Sequence, residues 1–298
     1  MTKAASGWLN GLIAVVIFSG SMTATRAAVL DLDPVFVTVA RATIAGVLAV
    51  GMLAWFRAKR PSQADLKSLF ITAGGVVLGF PLLSALALRH VTSAHSLVFV
   101  GLLPLSTAVF AVLRGAERPQ PLFWLFSGLG SLCVAGFAVV QGISASLLGD
   151  GLMLAAVIVC GLGYAEGARL ARTLGGWQVI SWALVISLPV TLPATLILLP
   201  SAGQPTLPAL IGLGYVSIFS MLIGFIFWYR GLAQGGIAAV GQLQLLQPFF
   251  GLTLAALLLH ETVSAAMVLV TVAVIACVAG ARAFAHRKLA VAVTRQSV

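Results

Sequence analysis

Three glutamines lie close together in a nonpolar segment near the end of the chain. Gln242, Gln244 and Gln247 all fall within the run GQLQLLQP. Gln244 and Gln247 are three residues apart, so on a helix they share one face. Because an unpaired amide is costly to bury, we expect these side chains to face other helices or a cavity. Uncharged amides can hold a zwitterion without trapping it, so the group is a candidate substrate-binding surface.

Other residues are candidates for the lining of the same cavity. Pro81 interrupts the nonpolar run VVLGFPLLSALALR, and His95 precedes Ser96 where an imidazole can either bond a substrate or cap a helix. His90 and His95 are five residues apart and do not share a helical face, so we expect no metal site. Most aromatic side chains in so nonpolar a chain serve core packing or lipid contact, but seven are candidates for the cavity lining: Phe80, Phe99, Tyr164, Trp182, Phe227, Trp228 and Tyr229.

Glu166 is an ionisable residue inside a predicted helix, in the run GYAEGARLAR. An acid buried in a membrane helix is a functional candidate by default. Arg169 and Arg172 lie within two turns of it, so an ion pair near the membrane surface is the alternative. The sequence leaves both interpretations open.

Arg26 and Arg41 lie near the outer ends of the first two predicted spans. Both have side chains long enough to reach Asp31 and Asp33 and form a structural clamp. The other interpretation is that Arg41 binds a substrate carboxylate. Both interpretations are carried forward.

Two proline-containing segments resemble one another. LLPLSTAVFAVLRGAE, residues 102–117, and LQPFFGLTLAALLLHE, residues 246–261, each place a proline 13 residues before a glutamate. Pro104 and Pro248 each remove a backbone donor, which favours a kink or hinge beside a cavity, or simply shapes helix packing. For Glu117 and Glu261 we expect helix capping or pairing at the membrane surface.

The composition excludes a soluble domain. Hydrophobic residues make up 60% of the 298 and charged residues only 8%, whereas soluble domains carry about 25% charged residues. A bilayer core of about 30 Å needs roughly 20 nonpolar residues per helix. Ten such spans are predicted at residues 8–29, 35–56, 69–88, 93–113, 122–141, 151–171, 177–199, 210–231, 237–259 and 265–284. Small residues at four-residue spacing, such as Gly75/Gly79 and Gly163/Gly167, predict close helix packing.

Charge distribution predicts the orientation in the membrane. The net charge of +10 does not indicate nucleic acid here, because the basic residues gather on one side of the predicted spans. Asp31, Asp33 and Asp150 fall on the other side. By the positive-inside rule, both termini are cytoplasmic and the protein lies in the bacterial inner membrane, with a basic cytoplasmic tail at 285–298. The basic residues on that side are Lys3, Arg57, Lys59, Arg60, Lys67, Arg114, Arg118, Arg172, Arg282, Arg287, Lys288 and Arg295.

Recurring segments indicate an internal duplication: NGL at residues 10–12 recurs as DGL at 150–152, and the proline segments recur 144 residues apart. This predicts two five-helix repeats, residues 1–149 and 150–284. Since five is odd, the second repeat is inverted in the membrane, which places a substrate site near the midplane, between the repeats.

The paired proline-to-glutamate segments, Arg41 early in the second span and two five-span halves resemble the EamA branch of the drug/metabolite transporter superfamily. The overall likeness is greatest to bacterial aromatic-amino-acid exporters of the YddG type. The first proline segment ends in RGAERP, which departs from the GE ending that is commoner in this family. The resemblance implies an all-α polytopic carrier that exports amino acids or related metabolites by alternating access, without a cofactor.

Other functions were weighed against this one. The chain contains no GxxxxGK[ST], HExxH or GxSxG motif, so neither a nucleotide-binding loop nor an intramembrane enzyme is expected. A proton-coupled exporter of drugs and metabolites is the alternative among carriers, and a channel or an intramembrane enzyme is the alternative outside them. Ten spans suffice to enclose a site within one chain, so a functional monomer is consistent with the sequence.

Overall fold

A computed structural model describes residues 3–91, 96, 99–140, 146–200, 205–247, 249–251 and 265–285, and the regular structure in these ranges is helical. The first half contains α1 (Lys3–Ser19, continued after Gly20 by Ser21–Asp31), α2 (Pro34–Trp55), α3 (Gln63–Thr72, then a π-helical segment Ala73–Gly79, then Phe80–Ala87), α4 (Leu103–Gly115) and α5 (Pro121–Val140). The second half contains α6 (Leu147–Leu174), α7 (Gly176–Ile197), α8 (Leu207–Tyr215, then a π-helical segment Val216–Gly224, then Phe225–Gly235), α9 (Ile237–Gly241 with the 3₁₀ segment Gln242–Leu246) and α10 (Ala265–Phe284).

Six helices in the described ranges are long and nonpolar enough to cross a membrane. These are Lys3–Asp31, Pro34–Trp55, Gln63–Ala87, Leu147–Leu174, Gly176–Ile197 and Leu207–Gly235. The described nonpolar parts of the other long helices are shorter: Leu103–Gly115, Pro121–Cys133 and Val272–Phe284. The prediction of a multi-pass membrane protein is confirmed, whereas the count of ten spans stays a prediction.

Local sequence explains where α2 begins. The Asp33 side chain accepts hydrogen bonds from the backbone N–H groups of Val35, at 2.8 Å, and Phe36, at 3.2 Å. Pro34 occupies the first turn, where its missing N–H is not needed. Asp33 therefore serves as a helix cap.

The two halves pack against each other reciprocally. Helix α1 packs on the Phe225–Gly235 part of α8, and the Phe80–Ala87 part of α3 packs on α6. Thus the first helix of each half contacts the third helix of the other half. The second helices, α2 and α7, pack together, and so do the fifth helices, α5 and α10.

Glycines permit the closest of these approaches. A Cβ on Gly75 would lie 2.5 Å from the carbonyl oxygen of Val159 in α6, and a Cβ on Gly163 would lie 3.2 Å from the Cα of Gly75. A Cβ on Gly7 of α1 would lie 2.5 Å from the backbone nitrogen of Gly235. Backbones this close exclude any larger residue, as the small-residue spacing of α3 and α6 predicts.

The two π-helical segments occupy equivalent places in the two halves. Each lies in the middle of a third helix, and each is followed directly by a phenylalanine: Phe80 after Gly79 and Phe225 after Gly224. π-helical turns are rare and occur frequently at functional sites. Hydrophobic periodicity does not distinguish them from α-helix, so the sequence analysis did not identify them.

Candidate functional site

A small cavity lies between the two halves of the chain. Its walls come from α1, α2, α3 and α4 of the first half and from α6, α8 and the end of α9 in the second. Five predicted site residues line it: Phe80, Pro81, Tyr164, Gln247 and Arg41.

Four other candidate residues are not part of this lining. Gln244 lies one layer behind the wall, where its Nε2 donates to the hydroxyl of Tyr164 at 3.2 Å. Gln242 is fully buried, and both polar atoms of its amide lack a hydrogen-bond partner. Phe99 and Trp182 are partly buried and pack against the hydrophobic core. Two further candidates, His95 and Pro248, lie outside the described residues.

Arg41 forms the charged part of the wall. It lies two turns into α2 and only 5% of its surface is exposed. Its Nη2 donates to the hydroxyl of Ser220 at 3.3 Å, and the hydroxyl of Ser21 donates to the same oxygen at 2.9 Å. The Nε of Arg41 is buried without an acceptor. These contacts join α1, α2 and α8.

The clamp interpretation of the two outer arginines is wrong. Asp33 caps its own helix, and Asp31 accepts hydrogen bonds from the backbone N–H and the hydroxyl of Thr206. Arg26 donates instead to the backbone carbonyls of Leu88 and Val91. Both aspartates thus accept hydrogen bonds from groups other than the two arginines. The side chain of Arg41 turns inward, toward Ser220.

Aromatic rings form the nonpolar part of the wall. Phe18 and Phe225 lie 5.2 Å apart, measured between ring centroids, and Tyr164 and Phe225 lie 5.9 Å apart. Phe80 joins them from α3. Phe18 and Phe225 were missed by the sequence analysis, although the recurrence of Gly-Phe at 79–80 and 224–225 was a signal that could have found Phe225.

Glu166 lies away from the cavity, toward the end of α6. Its carboxylate is fully buried and accepts hydrogen bonds from Arg114 of α4 and from Arg169, the latter at 2.9 Å. Arg169 also donates to the hydroxyl of Ser68 at 2.7 Å. This arrangement is the ion pair that the sequence analysis gave as the alternative to a functional acid.

Glu117 makes a second link at the same end of the bundle. It accepts from Arg172 at 2.9 Å and from the backbone N–H groups of Ile237 and Ala238, each at 2.8 Å. Glu117 therefore both caps and pairs, as expected, and the cap belongs to α9 of the other half. Glu261 lies outside the described residues. Arg172 pairs with Glu117, not with Glu166.

Pro104 does not kink a helix from within. It is the second residue of α4, where the missing N–H has no partner to lose. The chain turns at Gly101 and Leu102, immediately before this helix. Pro189 and Pro193 lie inside α7, and they were not among the predicted kink positions.

Comparisons with known proteins agree with this architecture. The sequence profile of the EamA-like transporter family matches residues 5–139 and, separately, residues 147–282. An uncharacterized transporter of Bacillus subtilis (strain 168), YdeK, is 66% identical over 286 residues, which cover 96% of this chain and 100% of that protein. An uncharacterized transporter of Archaeoglobus fulgidus is 22% identical over 84% of this chain and 88% of that protein. A solved crystal structure shares the fold, with a TM-score of 0.75, at 18% identity over 94% of this chain and 98% of that one.

Proposed function

Because the chain belongs to the EamA-like transporter family, we propose that it is a secondary transporter that exports amino acids and related small metabolites. Its main substrates are aromatic and other neutral amino acids. The protein is a multi-pass protein of the cell membrane. Substrate passes through the cavity between the halves by alternating access.

The observation that carries this proposal is the mixed character of the cavity wall. One side presents the guanidinium of Arg41 and the hydroxyl of Ser220, and another presents the rings of Phe18, Phe80 and Phe225. A ligand that fills such a space has a charged head and a nonpolar body. Aromatic and large neutral amino acids have this form.

Alternating access is supported by the reciprocal packing of the halves. The first helix of each half packs on the third helix of the other half. Such an exchange of contacts suits two similar units that rock against each other. Glu117 and Glu166 hold the two halves together at one end of the bundle through charged hydrogen bonds that water can replace. That end can then open without breaking the nonpolar core.

A proton-coupled exporter of cationic drugs is less well supported. Such a carrier needs an acid that can exchange a proton for the drug. Among the described residues that line the cavity, none is an aspartate or a glutamate. Glu166 is engaged by two arginines outside the cavity.

The test is uptake of labelled amino acids, aromatic and aliphatic, into proteoliposomes, with and without a pH gradient. Saturable uptake that unlabelled substrate competes away, absent from protein-free vesicles, supports an amino-acid carrier. Single-channel currents would instead favour a channel. If vesicles that contain folded protein take up no amino acid, the substrate assignment is wrong.

A further inference from the structure

Arg41 is a buried cation, and the described part of the chain gives it no acidic partner. The ion pairs within the described ranges join Arg114, Arg169 and Arg172 to glutamates, and none involves Arg41. Among the described residues its acceptor is a neutral hydroxyl, and its Nε has no acceptor. Arginines inside membrane proteins almost always pair with an acid or with carbonyl groups, because an isolated buried charge is costly. An anion bound in the cavity would supply what is missing.

The neighbouring hydroxyls are arranged to donate as well. The oxygen of Ser220 accepts from both Arg41 and Ser21, which uses the two acceptor positions of a serine hydroxyl. The hydrogen of Ser220 is therefore left to donate. A group that approaches from the cavity meets two hydrogen-bond donors, the guanidinium of Arg41 and the hydroxyl of Ser220. A carboxylate can accept hydrogen bonds from both.

The rest of the described wall offers no charge to an ammonium group. The described lining includes Tyr164 and Gln247 as uncharged polar residues beside the rings. The amide nitrogen of Gln247 donates to the carbonyl of Phe18 at 3.2 Å, so its oxygen remains one neutral acceptor. An ammonium group can be tolerated there, but it loses its hydrating water without gaining an oppositely charged partner.

We propose that this site recognises its substrate by the carboxylate, which binds Arg41 and Ser220, and that the α-ammonium group is not required. The substrate class is then organic monoanions with a nonpolar or aromatic body, of which neutral amino acids are one kind. This inference rests on the proposed function, because it assigns the chemistry of the same transport cavity.

The experiment compares three competitors of labelled phenylalanine in proteoliposomes. 3-Phenylpropionate keeps the carboxylate and lacks the ammonium, phenethylamine keeps the ammonium and lacks the carboxylate, and unlabelled phenylalanine has both. We expect 3-phenylpropionate to compete at least as well as phenylalanine and phenethylamine to compete poorly. Uptake of labelled 3-phenylpropionate beyond that of protein-free vesicles then shows that it is carried and does not merely block the cavity.

Variants assign the effect to the site. Arg41→Gln should weaken competition by 3-phenylpropionate roughly 10- to 100-fold, as the loss of a charged hydrogen-bond donor does. Ser220→Ala should weaken it less. Lys67→Gln removes an exposed positive charge from the same protein and should change nothing. If Arg41→Gln does not fold, Arg41→Lys and Ser220→Ala give the same test.

A binding readout that does not depend on transport completes the design. 3-Phenylpropionate should raise the melting temperature of the purified wild-type protein and leave that of Arg41→Gln unchanged. Phenethylamine competing as well as 3-phenylpropionate, or Arg41→Gln responding like wild type, would overturn the inference while amino-acid transport stood. Failure of phenylalanine itself to enter the vesicles would instead overturn the proposed function, and the inference with it.

Discussion

The carboxylate of Glu117, at the end of α4, accepts a hydrogen bond from the backbone N–H of Ile237, at the start of α9, over 2.8 Å. A side chain of the first half thus caps a helix of the second half. The same carboxylate pairs with Arg172 of α6. One residue therefore joins three helices at the end of the bundle that we predict to be cytoplasmic.

Glu117→Ala should destabilise the protein, because α9 loses its cap. Loss of a helix cap costs about 0.5–2 kcal/mol, and the pair with Arg172 is partly exposed and adds little. The melting temperature of the purified protein in detergent measures the effect. Arg118→Gln, an exposed change in the same loop, is the control and should melt like wild type. If Glu117→Ala and Arg118→Gln had the same melting temperature, the cap would not contribute to the stability of the protein.

Glu166→Gln should reduce stability but preserve transport. Breaking a buried ion pair costs roughly 3–5 kcal/mol when both partners are buried. Here the side chains of Arg114 and Arg169 are 41% and 47% exposed, so each can turn to water and the loss is smaller. We expect amino-acid uptake per folded molecule, and its response to a pH gradient, to remain close to wild type. A folded Glu166→Gln protein that lost a proton-driven flux of cationic drugs would contradict both this prediction and the proposed substrate class.

Gly75→Ala should destabilise the contact between α3 and α6. Its Cβ would lie 2.5 Å from the carbonyl oxygen of Val159, a backbone atom that cannot move aside without shifting the helix. Overpacking of this kind costs about 1–3 kcal/mol. Gly74→Ala is a matched control, since a Cβ at Gly74 meets nothing within 4 Å. It should leave the melting temperature unchanged or raise it, because alanine favours helix over glycine. Similar melting of the two variants would show that the close approach is not needed.

Gln247→Leu and Gln242→Leu should have different effects. Gln247 lines the cavity and bonds the carbonyl of Phe18, so its loss should raise the substrate concentration needed for half-maximal uptake. Gln242 is buried with both amide atoms unpartnered. A nonpolar replacement there should leave uptake unchanged and melting unchanged or higher. An equal loss of uptake in both variants would mean that the two glutamines act as one surface.

The sequence analysis identified part of the cavity and missed another part. Arg41, Tyr164 and Gln247 were found because charged, phenolic and amide groups are rare and costly in a nonpolar helix. Ser21 and Ser220 were missed because serines also occur throughout such helices, where they bond their own backbone. Whether a serine faces the cavity depends on the rotation of its helix, and for Ser220 that rotation includes a π-helical segment.

Insertion in a bilayer, the helical form of the long segments and the likeness of the two halves can all be predicted from the amino-acid sequence. These properties follow from composition, from the length of each nonpolar run and from recurring segments, all of which are local or periodic. Two contacts are visible only in the folded protein: Arg41 turns inward to Ser220, 179 residues away, and Glu166 pairs with Arg114, 52 residues away. Those contacts depend on which helix faces are brought together, and close packing at glycines such as Gly75 fixes them.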